Sequence, residues 1–217
     1  MMNNSKTLIV HALDESTKFL SVFKKNFGEH YFAMTSNKQE EIDKVHSKIK
    51  ELNDNDIFIF LGHGASFGLF APNSRDIKIF DKNSADEMFK NKNIVLLSCK
   101  SSDFISKLST YKHIIGFGDI PSSMEEINIE RDSIGTQRNV SENDIKIYNE
   151  SYTDSIIKAL NLLFNKKITF SELAKYIEFF LNKKIIKTLE DKENKNRKEI
   201  AKLLFEFRNN IEYKINS

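Results

Sequence analysis

The chain has 217 residues, 40% hydrophobic and 29% charged, with 33 Lys and Arg against 31 Asp and Glu for a net charge of +2. That composition excludes collagenous, low-complexity and intrinsically disordered classes, and the near-cancelling charge gives nucleic acid no electrostatic footing. Its one Cys excludes an internal disulfide and with it the secreted disulfide scaffolds.

The apolar-leaning run at residues 8–13 holds His11 and stops at two acids, Asp14 and Glu15. It is too short and too polar for a secretory core, and no run approaches the ~20 apolar residues of a membrane span. A cytoplasmic protein is expected.

The first two thirds of the chain alternate short apolar runs with helical periodicity. Residues 7–12 (TLIVHA) predict a strand, and residues 16–27 a helix carrying Phe19, Val22, Phe23 and Phe27 at helical spacing, ended by Gly28. Residues 30–34 fit a second strand. Residues 37–52 predict a helix with Ile42, Val45, Ile49 and Leu52 on one stripe. IFIFL (57–61), NIVLL (93–97) and HIIGF (113–117) are continuous apolar runs of the kind that strands buried on both faces show. Strands separated by helices predict an α/β fold with a mainly parallel sheet.

Between the first and second of those runs, residues 69–81 read as a small hairpin at the sheet edge, turning at Pro72-Asn73. Residues 84–90 (SADEMFK) have the N-cap and acidic first turn of a short helix. Periodicity is lost over residues 119–143, which predicts a long loop. Three helices follow, over residues 151–164, 171–189 and 193–213, the last with an apolar stripe of Ile200, Leu203, Leu204, Phe207 and Ile211. From residue 183 to 214 there are ten Lys or Arg and six Asp or Glu, a local +4. The division expected is a domain over residues 1–182 and a helical extension over 183–217, packed on that domain or on a partner.

Five of the seven glycines (Gly62, Gly64, Gly68, Gly116 and Gly118) fall at or just past strand ends. In an open parallel sheet that edge is where ligands bind. The 57–61 strand runs into Gly62-His63-Gly64, and the 93–97 strand into Ser98-Cys99. If these strands are neighbours, an imidazole and the only thiol face each other across a crevice. A thiolate beside an imidazole is a working nucleophile, and the helix expected from Ser101 would help to ionise it. Backbone N–H groups of Gly64 and Cys99 are candidates for an oxyanion hole. Otherwise such a Cys is an inert small hydrophobe and such a His is structural.

The run IFIFLGHGASFGLF followed by NIVLLSCKSS resembles the caspase-like (clan CD) cysteine peptidases, and most nearly their CHAT branch, related to caspases and separases. There an apolar strand ends in His-Gly and a later one in the nucleophilic Cys. HIIGFGD (113–119) resembles the next strand, and residues 147–180 the two closing helices. The resemblance departs where Ser98 abuts Cys99 and Lys100 follows it.

It implies a three-layer α/β/α sandwich and a cysteine endopeptidase with His63 and Cys99 as catalytic dyad. It also implies that the first strand-helix loop and the sheet edge shape the specificity pocket. Asp14, Glu15 and Asp119 lie at those positions, which predicts cleavage after Lys or Arg. Neither metal nor organic cofactor is required. The partners implied are a peptide or protein substrate and an activating protein, in a setting such as bacterial defence, with no membrane and no direct nucleic-acid contact. Basic specificity would make Arg131 or Arg138, in the 119–143 loop, a self-processing site. Two other classes stay open. One is an inactive caspase-like interaction module. The other is a phosphate-binding domain using the Gly62–Gly68 turn, although neither GxGxxG nor GxxxxGK[ST] is present.

Overall fold

A computed structural model of the chain describes residues 6–134 and 138–216. Side chains of residues 130, 131, 133 and 134 lie outside that description. The fold is α/β, built on a mostly parallel six-stranded sheet. The chain divides into two compact units. One comprises the residues up to Gly118 together with those from Ile211 onward, and the other is Asp119–Asn210.

In the first unit the strands form where the sequence is apolar on both faces. Thr7–Ala12 (β1), Tyr31–Met34 (β2), Ile57–Leu61 (β3), Asn93–Leu97 (β7) and His113–Gly116 (β8) run parallel in the order β2-β1-β3-β7-β8. The alternation of side chains sends Val10, Phe58, Phe60, Ile94 and Ile114 into one hydrophobic core. Three helices supply its other half: Gln39–Lys50 (α2), Lys82–Met88 (α3) and Ser101–Ile105 (α4). Val45 and Ile49 of α2, a helical turn apart, are both fully buried there. Ile9, Ile59, Val95 and Ile115, which point to the opposite face, are buried as completely. This accounts for runs with no polar alternation. The stretch expected as a helix from residue 16 opens as a 3₁₀ turn at Lys18–Ser21 and becomes helical at Val22–Phe27 (α1).

Three expectations in this unit need correction. The hairpin of residues 69–81 does not extend the main sheet. Gly64–Ala65 (β4), Gly68–Phe70 (β5) and Lys78–Phe80 (β6) make a separate three-stranded antiparallel sheet. Its anchor is Phe80, whose ring lies 5.9 Å from Phe58 and 5.1 Å from Phe89. The cap of α3 is Asp81, not Ser84. The Asp81 carboxylate accepts the Ser84 N–H while the Ser84 hydroxyl accepts the Asp81 N–H, a reciprocal capping box. The last expected helix stops early, and Glu212–Ile215 (β9) pairs antiparallel with β8 as the sixth strand of the main sheet.

The second unit is helical. Its first helix, Met124–Ile134 (α5), lies within the expected 119–143 loop. The sequence gives no strong apolar stripe there, which is why the pattern reads as irregular. Glu142–Phe164 (α6) begins at a Ser141 capping box, well ahead of residue 151, and Leu173–Glu190 (α7) and Arg197–Asn209 (α8) pack with it. Tyr152 of α6 stacks on Phe207 of α8 at 4.6 Å. Residues 183–210 thus belong with α5–α8, and residues 211–217 return to the sheet unit. The two self-processing candidates fall in different settings, Arg131 in a helix and Arg138 in the irregular stretch before α6. The backbone of Arg131 is inside α5, its side chain lying outside the described residues, and the Arg138 side chain is 8% exposed and paired with Glu206 at 2.9 Å. No helix among the described residues is long and apolar enough to cross a membrane.

Candidate active site

Strands β3 and β7 are adjacent, parallel and in register, with Leu61 opposite Leu97. The residues that follow therefore leave the sheet side by side at one edge, the carboxyl edge. Gly62 N–H donates to Leu97 C=O at 3.2 Å and closes the step. The two turns then touch. A Cβ on Gly64 would stand 2.6 Å from Ser98 Oγ and 3.0 Å from the Cys99 carbonyl oxygen, so only glycine allows this approach. His63 precedes one side of the contact and Cys99 follows the other. Cys99 is half-buried, and the His63 side chain is 30% exposed.

A separate set of bonds holds the Cys99 turn. Lys100 adopts a left-handed conformation, φ 53°, and its N–H donates to Gly118 C=O at 2.9 Å. Ser101, fully buried, accepts the Phe117 N–H at 2.8 Å, and its Oγ lies 2.7 Å and 2.9 Å from the carbonyls of Leu96 and Ser98. Gly116 is pressed so close that a Cβ would meet the Ser101 carbonyl oxygen at 2.7 Å and Ser102 N at 2.8 Å. Backbone cannot yield as a side-chain tip can. Gly116→Ala is therefore expected to destabilise the protein by about 1–3 kcal/mol. Gly28→Ala, where a Cβ meets nothing within 4 Å and φ is −55°, is expected to be neutral or stabilising by up to ~1 kcal/mol. Urea denaturation midpoints of the two variants check this.

The imidazole is held from the loop after β1. His63 Nε2 lies 3.1 Å from Asp14 Oδ2 and 2.9 Å from Ser16 Oγ. The Asp14 side chain, 5% exposed, also accepts from Asn73 N–H at 3.1 Å, Ser16 Oγ at 2.7 Å, Thr17 N–H at 3.0 Å and Thr17 Oγ1 at 3.1 Å. Burial alone would raise its pKa. The Asn73 N–H, the Ser16 hydroxyl, His63 and the Thr17 N–H outweigh burial and hold the carboxyl at about 2. Among the described residues, the hydrogen-bond partners of the imidazole are Asp14 and Ser16. The His63 carbonyl accepts the Phe70 N–H at 3.0 Å, tying the turn to β5.

The three acids expected to meet a basic substrate fall in different settings. Asp14 is saturated, since five donors meet a group with about four lone-pair directions. Glu15 is open, its side chain 90% exposed beside Lys18 at 3.3 Å. Asp119 is exposed and opens the second unit. Sequence reasoning missed the contribution of Ser16 and of the Asn73 N–H. Asp14-Glu15-Ser16-Thr17 has the acceptor-then-hydroxyl spacing of an Asx-type turn, a signal that was legible. Nothing local marks Asn73.

A fully buried titratable group, His11 of β1, lies close enough to His63 and Asp14 to feel both charges. Burial pushes its pKa down to about 4, and its Nδ1 meets Tyr31 Oη at 2.5 Å. Among the described residues, no group of three or more His, Cys, Asp or Glu side chains could hold a metal ion.

No family model, no curated protein and no solved structure matches the chain. What can be said of its chemistry comes from the residues at this sheet edge.

Proposed function

We propose that the chain is a cysteine endopeptidase that acts through Cys99 and His63. What supports the reading is the in-register end of β3 and β7, which delivers the only thiol and an anchored imidazole to the two flanks of the Gly64–Ser98 contact. Cys99 gives its proton to the imidazole, and the thiolate attacks the scissile carbonyl carbon. The oxyanion forms against the N–H groups of Gly64 and Cys99. The tetrahedral intermediate collapses, the C–N bond breaks, and the imidazolium returns its proton to the leaving amine. Water, deprotonated by the same imidazole, then hydrolyses the thioester and frees Cys99. A preference for Lys or Arg before the scissile bond would fall to Glu15, the acid of the β1 loop still open to a substrate cation. An activating protein partner belongs to this proposal through the family resemblance.

The test is a peptide acyloxymethyl ketone with Lys at its reactive end, offered to the wild type and to His63→Ala. Labelling mapped to Cys99 and lost in His63→Ala is expected. Equal labelling of both, or none on Cys99, would remove the peptidase reading.

A further inference from the structure

We infer that Asp14 is the positioning residue of the site. With Ser16 it fixes the imidazole of His63 as the tautomer protonated at Nε2, which leaves Nδ1 as the atom that takes the thiol proton. This inference rests on the peptidase reading for the role of the thiol, but not for the state of the imidazole.

A carboxyl held near pKa 2 is ionised at neutral pH and can only accept. The 3.1 Å contact between Asp14 Oδ2 and His63 Nε2 therefore needs a proton on Nε2. Ser16 has a single hydroxyl proton, which it gives to Asp14 Oδ1 at 2.7 Å. Its oxygen, 2.9 Å from Nε2, can then only accept from the imidazole. Both neighbours thus demand the same hydrogen, which they share as a three-centre bond. A neutral imidazole protonated at Nε2 keeps its lone pair on Nδ1.

The carboxylate is itself immobilised. Thr17 fixes Oδ1 through its N–H, and its single hydroxyl proton is shared between Oδ1 at 3.1 Å and Ala12 C=O at 3.0 Å. Asn73, in the left-handed conformation at φ 55°, donates its N–H to Oδ2 at 3.1 Å. A buried, pre-oriented acceptor does two things for a base. It stops the ring from flipping, and it stabilises the imidazolium that forms when the thiol ionises. It does not itself become protonated. This assignment moves Asp14 from substrate recognition to support of the base. The other titratable groups facing the pair are His11, neutral above about pH 4, and the exposed Glu15 with its partner Lys18.

The experiment has two arms. Nitrogen-15 NMR of histidine-labelled protein, followed with rising pH until the ring carries a single proton and with His63 assigned by subtraction of His63→Ala, is expected to show that proton on Nε2 and a bare Nδ1. A wild-type spectrum with the proton on Nδ1 overturns the inference without any further variant. The second arm follows iodoacetamide alkylation of Cys99 from pH 4 to 9. The wild type should keep a His63-dependent limb below the ordinary thiol range, and Asp14→Asn should lower its rate there by about tenfold or more, one pH unit of lost thiolate. Ser16→Ala, which keeps the carboxylate, should lower it by less. An unchanged profile and unchanged tautomer in a folded Asp14→Asn protein overturn the positioning role. Should the wild type and His63→Ala alkylate alike while the tautomer is as stated, the peptidase reading fails and the positioning of the ring stands.

Discussion

His63→Ala, Cys99→Ala and the double variant are expected to lose the same factor in kcat/KM on the best peptide substrate, about 10⁴-fold or more. In the proposed mechanism the two side chains act on one proton, so removing either removes the step. With the thiol gone, an anchored imidazole has no nucleophile of the protein to deprotonate. Without the imidazole, the thiol has no base to take its proton. The second substitution then finds nothing left to remove, and the effects do not add. Steady-state assays of the three variants, with folding checked by far-UV circular dichroism, decide the matter. A double variant that loses the product of the two single factors would mean that the residues serve separate steps.

Acid should weaken the fold well before its carboxylates protonate. His11 is fully buried in β1, and desolvation lowers its pKa from 6.5 to about 4. Between those values the unfolded chain takes up a proton that the folded chain refuses. Stability is therefore fully present above pH 6.5 and falls as the pH drops toward 4, by about 3 kcal/mol in all. The Asp14 contribution, present above pH 3.8 and lost toward pH 2, is about 2 kcal/mol and lies in a separate, lower window. His11→Gln keeps a hydrogen-bonding side chain for Tyr31 and removes the titration. Its urea denaturation free energy should fall clearly less than that of the wild type from pH 6.5 to 4, the remainder coming from His113, whose pKa burial also lowers. Parallel curves would mean that another group governs the acid limb.

The sheet was legible in the sequence because β1, β3 and β7 are buried on both faces and must be apolar throughout. Their limits, Thr7–Ala12, Ile57–Leu61 and Asn93–Leu97, coincide with the composition. That His63 and Cys99 follow the ends of neighbouring strands at one sheet edge was legible from the same runs. What was not legible depends on partners distant in the chain. Glu-Tyr-Lys-Ile is a strand only because the outer edge of β8 lacks a neighbour, and nothing in those four residues outbids the helical pattern before them. Gly64–Ala65 is too short to carry any period. The role of Asp14 was hidden for a related reason. A loop acid beside the first strand looks like many others until Asn73, 59 positions away, and His63, 49 away, close on the same carboxylate.

The sixth strand has a consequence for synthesis. Gly116 is paired with Glu212, so 212 − 116 = 96 residues are translated between the two sides of that ladder. At ribosomal speeds of ~5–20 residues per second, the rim of the nascent sheet stays open for about 5–20 s while the helical insert is made. During that interval the outermost hydrogen-bonding groups of Ile114 and Ile115 have no strand to meet, the kind of open ladder on which misassembly begins. The seam that finally closes it is laid down only after the helices α5–α8.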